Sequence, residues 1–428
     1  MRRSVLPYAL LLASSLALAA CGGGVVEGNS TTAGASETGE DTGSETTGDE
    51  TTAGPTAGSE GSSGSTDSDA TTTAPTTEPA TTEPATTEPI TTDAPTTVEP
   101  TDTEPTTDTE PTTDTDPETD TDDPTTGGAL DDVLTLDHVQ VKGTHNSYHV
   151  KPFIVLHPSH NYTHQPLDVQ LESQGVRAFE LDLHQNLNGD YTIYHIDVID
   201  ESSTCDLFTD CLETIKGWSD QHPAHLPIII WMEIKDDTGG QPIDNHDEID
   251  DEIRAVFPED QLFTPDDLKG DYPSVRAALE DGGWPTLGEV RGQVLFVLLN
   301  TEDNHADAYT YGFNDLDGRA MFARASPAQF THSWAAIAKL GTGDGNIGQA
   351  HDLTMLIATN VCGASEDDAS CFAAADEAKA NGLHMLKDDF PAPVNGMTYF
   401  LDFPDGNPAR CNPVTAPPEC TSEALESL

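Results

Sequence analysis

The sequence predicts an α/β protein built as a (β/α)₈ TIM barrel of about 300 residues, the usual size of such a barrel. A long disordered stalk precedes it. Three observations predict this. Eight apolar runs of strand length recur between residues 136 and 386, amphipathic segments fall between several of them, and polar residues collect at the ends of the early runs.

The runs are Leu136–Val141, Val176–Leu183, Tyr191–His195, Ile228–Ile234, Val294–Leu299, Ala320–Ala325, Leu353–Ala358 and Leu383–Leu386. Most are apolar throughout, as parallel strands buried on both faces should be. Leu207–Asp220, His246–Val256 and Ser365–Ala380 read as amphipathic helices. Strand and helix in turn imply a parallel sheet. An open doubly wound sheet is the alternative arrangement of the same elements.

Ahead of the barrel the chain has a different character. Arg2 and Arg3, the apolar run Val5–Leu18 and the small pair Ala19-Ala20 read as an export signal over residues 1–20. That run is too short to span a bilayer. Leu18-Ala19-Ala20-Cys21 resembles a bacterial lipoprotein box, which makes Cys21 a lipidation site and the protein an exported one, anchored to the bacterial outer membrane and surface-exposed. The other reading is ordinary signal cleavage with Cys21 incidental. Residues 21–128 are rich in Thr, Glu, Asp, Pro, Gly and Ser, with no Lys or Arg. Such a segment cannot bury enough surface to offset its ordering entropy. As a flexible coil it would span roughly 55–60 Å, which suits a stalk. Residues 129–428 form the expected catalytic domain.

Charge narrows the partners. The stalk carries 25 acidic residues, and residues 129–428 carry 51 acidic against 15 basic ones, a formal net charge of −36. That excludes nucleic acid as a default partner and disfavours docking on anionic lipid by charge alone. Cysteines beyond the stalk fall as close pairs, Cys205 and Cys211, Cys362 and Cys371, Cys411 and Cys420. Nearest-neighbour disulfides suit an exported protein. Zinc is the rival reading, but no pair has the two-residue spacing of a zinc knuckle. A monomer is the default expectation.

The chemistry concentrates where a barrel keeps its active site, at the C-terminal ends of strands. The first run ends in Gly143-Thr144-His145-Asn146. The second reads Arg177-Ala178-Phe179-Glu180-Leu181-Asp182-Leu183-His184. Alternate strand residues share a face, so Phe179, Leu181 and Leu183 pack under helices while Glu180 and Asp182 turn into the lumen. Two like charges there require a cation or basic groups. A hard-metal site is one solution; a pair held by Arg177 and a lysine is the other. Glu233 and Lys235 share a face of the fourth run; alone they read as an ion pair at a strand end, but beside Glu180 and Asp182 a third carboxylate at the same end reads as a further ligand. Carboxylate and amide oxygens select Ca²⁺, with Mg²⁺ second, over zinc.

The series Gly143-Thr144-His145-Asn146-Ser147-Tyr148, then Glu180-x-Asp182, His195 and Glu233-x-Lys235, resembles the secreted bacterial calcium-dependent phosphatidylinositol-specific phospholipases C. The likeness extends over nearly all of residues 135–420. It implies metal ligands at Asn146, Glu180, Asp182 and Glu233, paired catalytic histidines at His145 and His195, and a phosphate-facing Lys235. His149 and His184 read as neighbouring polar groups, and Asp389, at the end of the last run, as a capping or surface residue, with lining the mouth as the alternative. The resemblance further implies attack by the inositol 2-hydroxyl, giving a cyclic phosphate and diacylglycerol. His195 is then the acid or base partner, and His145 a proton donor that stabilises the phosphorane. The same groups would serve a glycerophosphodiester phosphodiesterase acting on soluble inositol or glycerol diesters, or a surface protein that binds metal without turnover.

Overall fold

The computed structural model describes residue 128, residues 130–236, residue 240 and residues 242–426. The export signal, Cys21 and the acidic segment to residue 127 lie outside them.

Ten strands form one sheet among the described residues: β1 Val139–Thr144, β2 Val176–Gln185, β3 Tyr191–Ile193, β4 Ile228–Ile234, β5 Val294–Leu298, β6 Met321–Ala325, β7 Ile337–Lys339, β8 Leu356–Asn360, β9 Met385–Asp388 and β10 Ala409–Cys411. Eight of them, in the order β1-β2-β4-β5-β6-β7-β8-β9, pair in parallel, and β9 returns to β1. The sheet is a closed barrel. β3 and β10 are outside it, antiparallel to β2 and β1.

This corrects one expected strand and adds another. The run beginning at Tyr191 is a strand, but it is the return arm of a hairpin. Only five residues, 186–190, separate it from β2, and a parallel crossover needs a dozen or more. The missing barrel strand is β7, three residues within Ala335-Ala336-Ile337-Ala338-Lys339. It is too short and too alanine-rich to stand out from a helix turn.

The lumen is layered. Ile229, Trp231, Leu295, Phe322, Ile337 and Met385 belong to an apolar cluster at its floor. Phe179, Leu181 and Leu183 belong to a separate cluster with helix residues Leu171, Phe208 and Leu212. β2 therefore turns its apolar face out under the helices and its acidic face in, as its alternation requires. Arg177 also points outward. It binds Glu426 and stacks over Trp218, so it does not compensate the lumen carboxylates.

The outer helices hold their expected places, at Phe208–Ser219, His246–Val256 and Asp368–Ala380. Ile249 and Ile253, one turn apart, bury the inner stripe of the second. Asp367 caps the third by accepting from the Ser370 N–H. Cys205–Cys211, Cys362–Cys371 and Cys411–Cys420 are bonded as nearest neighbours. No helix among the described residues is long and apolar enough to cross a membrane.

Candidate active site

Glu180 and Asp182 from β2 and Glu233 from β4 meet at the C-terminal mouth of the barrel. One carboxylate oxygen of each lies within 4.8 Å of the others. The register explains the meeting, because it sets Asp182 directly beside Glu233. The three carboxylates differ in how they are compensated. Glu180 is buried, bonded to the Lys387 ammonium, with Lys339 Nζ 3.7 Å away. Burial would raise its pKa, but Lys339 and Lys387 outweigh burial and hold the carboxyl far below its usual range. Burial pushes Lys387 down to about 7. Glu233 is paired with Lys235 at 2.8 Å.

Asp182 is the exception. It is fully buried, and neither of its oxygens accepts a hydrogen bond. Its ion pair is with Lys235, at 3.3 Å. Burial raises its pKa; Lys235 opposes the rise, and Glu233 and Glu180 reinforce it. A buried carboxylate left with bare oxygens costs free energy unless something satisfies it. The donor set around it is carboxylate oxygen, the chemistry that suits Ca²⁺. The residues present therefore fit the cation.

The β1 loop closes one side of this group. The Ser147 N–H donates to the Glu180 carbonyl at 2.9 Å and ties the loop to β2. Asn146, at φ 43°, makes the left-handed turn that asparagine tolerates. Its side chain is buried next to Tyr162. Gly143 makes room below. A Cβ there would lie 3.0 Å from the Ala178 Cβ and 3.1 Å from Lys387 Cγ, crowding the lysine that faces Glu180.

Each catalytic-candidate imidazole is held by a carboxylate at Nδ1. His145 Nδ1 lies 2.9 Å from Asp389 Oδ1, and its Nε2 lies 3.8 Å from Glu180. Burial lowers its pKa, but Asp389 and Glu180 more than reverse this and raise it. His195 sits just past the end of β3, with Nδ1 2.7 Å from Asp200 Oδ2. A carboxylate at Nδ1 fixes the tautomer and leaves Nε2 to exchange a proton.

A family profile described as phosphoinositide phospholipase C, Ca²⁺-dependent, matches residues 134–193 and 190–413. The chain belongs to this family. It is a calcium-dependent phosphoric diester hydrolase of the phospholipase C type. A search of curated protein sequences finds no match. Among solved structures, the fold resembles a calcium-dependent phosphoinositol-specific phospholipase C from a Pseudomonas species. That likeness has 20% identity and a TM-score of 0.48, and covers 67% of this chain and 99% of that one. It also resembles the Ca²⁺-dependent phosphatidylinositol-specific enzyme of Streptomyces antibioticus, at 19% identity and a TM-score of 0.46, over 60% and 95% of the two chains. A mutant phosphatidylinositol-specific phospholipase C from Staphylococcus aureus follows, at 16% identity and 0.39, over 63% and 92%.

Several residues of the phospholipase mouth escaped the sequence reading. Lys339 and Lys387 are single basic residues on short strands. The Arg324 side chain on β6 is half-buried, and its buried Nε has no hydrogen-bond partner. Asp389 is a direct partner of His145 rather than a cap, and Lys387-Asp388-Asp389 carried the signal, since Lys387 and Asp389 alternate onto one face. Asp200 lies in a loop with no period to mark it. His149 is within 3.0 Å of Asp200. His184 instead bonds the Tyr194 carbonyl and stacks on that ring at 3.7 Å.

Proposed function

We propose that the barrel mouth cleaves the glycerol–phosphate ester of a phosphatidylinositol-type lipid, releasing diacylglycerol and an inositol phosphate that is first cyclic. The observation that carries this is the pair of carboxylate-anchored imidazoles, His145–Asp389 and His195–Asp200, on the loops that border the three-carboxylate group. Glu180, Asp182 and Glu233, with Asn146 beside them, would hold Ca²⁺. Bound there, the ion would supply positive charge to the phosphoryl oxygens and lower the pKa of a coordinated hydroxyl. Lys235, Lys339, Lys387 and Arg324 offer the phosphate its remaining countercharge. The inositol 2-oxygen bonds to phosphorus as one imidazole takes its proton. The phosphorus–glycerol oxygen bond breaks as the other imidazole returns a proton to the leaving oxygen.

A second observation favours lipid over a soluble diester. Phe153, Ile154 and Leu156 in the loop after β1, Leu187 in the β2–β3 turn, and Val198 and Ile199 in the loop after His195 are all exposed. Exposed apolar side chains gathered on neighbouring loops mark an interaction surface. On the loops of the mouth they suit an acyl-chain interface.

Side-by-side assay of phosphatidylinositol vesicles, glycerophosphoinositol and glycerophosphocholine, with Ca²⁺ or a chelator, tests the reading. Calcium-dependent release of diacylglycerol is expected, with slow turnover of both soluble diesters. Fast hydrolysis of glycerophosphocholine without diacylglycerol release from vesicles would replace the lipase by a glycerophosphodiesterase.

A further inference from the structure

Asp200 does more than orient His195. Three imidazole nitrogens converge on its buried carboxylate: His195 Nδ1 at 2.7 Å, His149 Nε2 at 3.0 Å and His160 Nδ1 at 3.5 Å. His149 and Asp200 are fully buried, and His160 is 6% exposed. The His160 Nδ1 has no hydrogen-bond partner although it is aimed at the cluster. One ligand atom each from His149, His195 and Asp200 fits within a 4.8 Å group.

Two imidazoles and one carboxylate, with the fourth position open to water, are the donors of a zinc site, not of a calcium site. Ligands tetrahedral about zinc stand about 3.3 Å apart, given zinc–ligand distances near 2.0–2.1 Å. His195 Nδ1 and His149 Nε2 lie 2.7 and 3.0 Å from Asp200, close to that spacing. His160 falls outside the group, 3.5 Å from Asp200. His195, with its side chain 23% exposed, gives the solvent-facing edge of the three.

We propose that His149, His195 and Asp200 form a second metal site, selective for zinc-class cations, whose occupancy takes His195 out of catalysis. The site itself rests on geometry alone, whereas the inhibition rests on the role of His195 proposed above. A cation on Nδ1 displaces the proton shared with Asp200, so the neutral ring must carry its proton on Nε2. It can then neither accept a proton there nor become imidazolium without losing the metal. Either role is blocked.

The test uses the full-length protein, free of any polyhistidine tag and saturated with Ca²⁺, titrated with Co²⁺ as a coloured stand-in and then with Zn²⁺. One equivalent of Co²⁺ should give the intense visible absorption of a four-coordinate site, and Zn²⁺ should bleach it. Diacylglycerol release should fall at least about tenfold as Zn²⁺ saturates, and excess Ca²⁺ should not restore it. H149Q should weaken Co²⁺ binding at least about tenfold and shift half-inhibition by the same factor, a loss in the range of altered metal shells. Absence of the absorption at one equivalent in the wild-type protein would overturn the site, and so would unchanged affinity in a folded H149Q. Stoichiometric Zn²⁺ with undiminished turnover would overturn the inhibition. If H195A also retained its rate, the catalytic reading of His195 would fall as well; if H195A lost it, that reading would stand.

Discussion

Asp182 and His195 mark the two chemistries of the mouth, and each makes a separable prediction. The Asp182 oxygens accept no hydrogen bond and stand between two other carboxylates with Lys235 at 3.3 Å, so charge crowding and the proposed ion binding are two sides of one fact. Replacing Asp182 by Asn should relieve the crowding and leave the melting temperature of the calcium-free protein equal or higher. The same change should abolish most of the rise in melting temperature that Ca²⁺ gives the wild type, since a ligand stabilises only the state it binds. Calorimetry with and without Ca²⁺ reads both; a normal calcium shift would remove Asp182 from the ligand set. His195→Ala should lower the rate of diacylglycerol release by roughly 10²–10⁴, with the calcium-induced shift intact. The acidic half of the mouth was legible because strand alternation forces Glu180, Asp182 and Glu233 onto lumen faces. The basic half was not legible. Lys339, Lys387 and Arg324 acquire meaning only when distant strands close a ring, and Asp200 and His160 only when two irregular loops fold together.

At the scale of elements, buried histidines govern acid stability. His225 between helix Phe208–Ser219 and β4 bonds the Leu226 carbonyl through Nδ1 and Ser219 Oγ through Nε2. His384 before β9 accepts the Ile357 N–H at Nδ1 and donates from Nε2 to the Asp137 carbonyl. Burial lowers the first to about 4 and the second to about 3. An unfolded histidine titrates near 6.5, so below that pH the unfolded chain binds protons that the folded barrel refuses. Stability is full above pH ~6.5 and falls as pH drops toward 4, each histidine withdrawing on the order of 3 kcal/mol. His384→Gln keeps one acceptor and one donor and cannot titrate. Its melting temperature should decline less steeply between pH 7 and 4 than the wild type's; an equal slope would show that His384 does not supply the linkage. The fold was legible to the same degree as the periodicity. β4 and helix His246–Val256 have the expected bounds, because long apolar or amphipathic patterns leave one solution. β3 and β7 failed where three residues carry no period and where loop length, not strand composition, decides topology.

At the scale of the molecule, charge and lipid stand opposed. Residues 129–428 carry a net formal charge of −36, which repels an anionic vesicle. The mouth offsets part of this charge locally, Lys235, Lys339 and Lys387 pairing with its carboxylates and Arg324 standing near them, but these groups lie inside the barrel and act over short range. Long-range repulsion is screened by salt, with a Debye length of roughly 30 Å at 0.01 M and 10 Å at 0.1 M. Short-range lysine–phosphate contacts and the burial of Phe153 and Ile154 in the interface survive that screening better. Raising ionic strength from about 0.01 to 0.15 M at fixed Ca²⁺ should therefore increase the rate on phosphatidylinositol vesicles. A basic peripheral enzyme would show the opposite. Replacing Phe153 and Ile154 by Ser should lower vesicle binding while leaving the turnover of glycerophosphoinositol, however slow, unaltered. We propose in addition that Cys21 carries a lipid and that residues 21–128 tether the catalytic domain away from its own membrane. An acyl label incorporated in the wild type and lost in Cys21→Ser would support that anchor. The salt experiment can then be run with the tether cleaved, because a chain held on one bilayer meets its target at a fixed local concentration that would mask the change in encounter rate. A rate that falls with salt even in the released domain would mean that the lysines and Arg324 of the mouth, and not the acidic exterior, govern approach to the lipid.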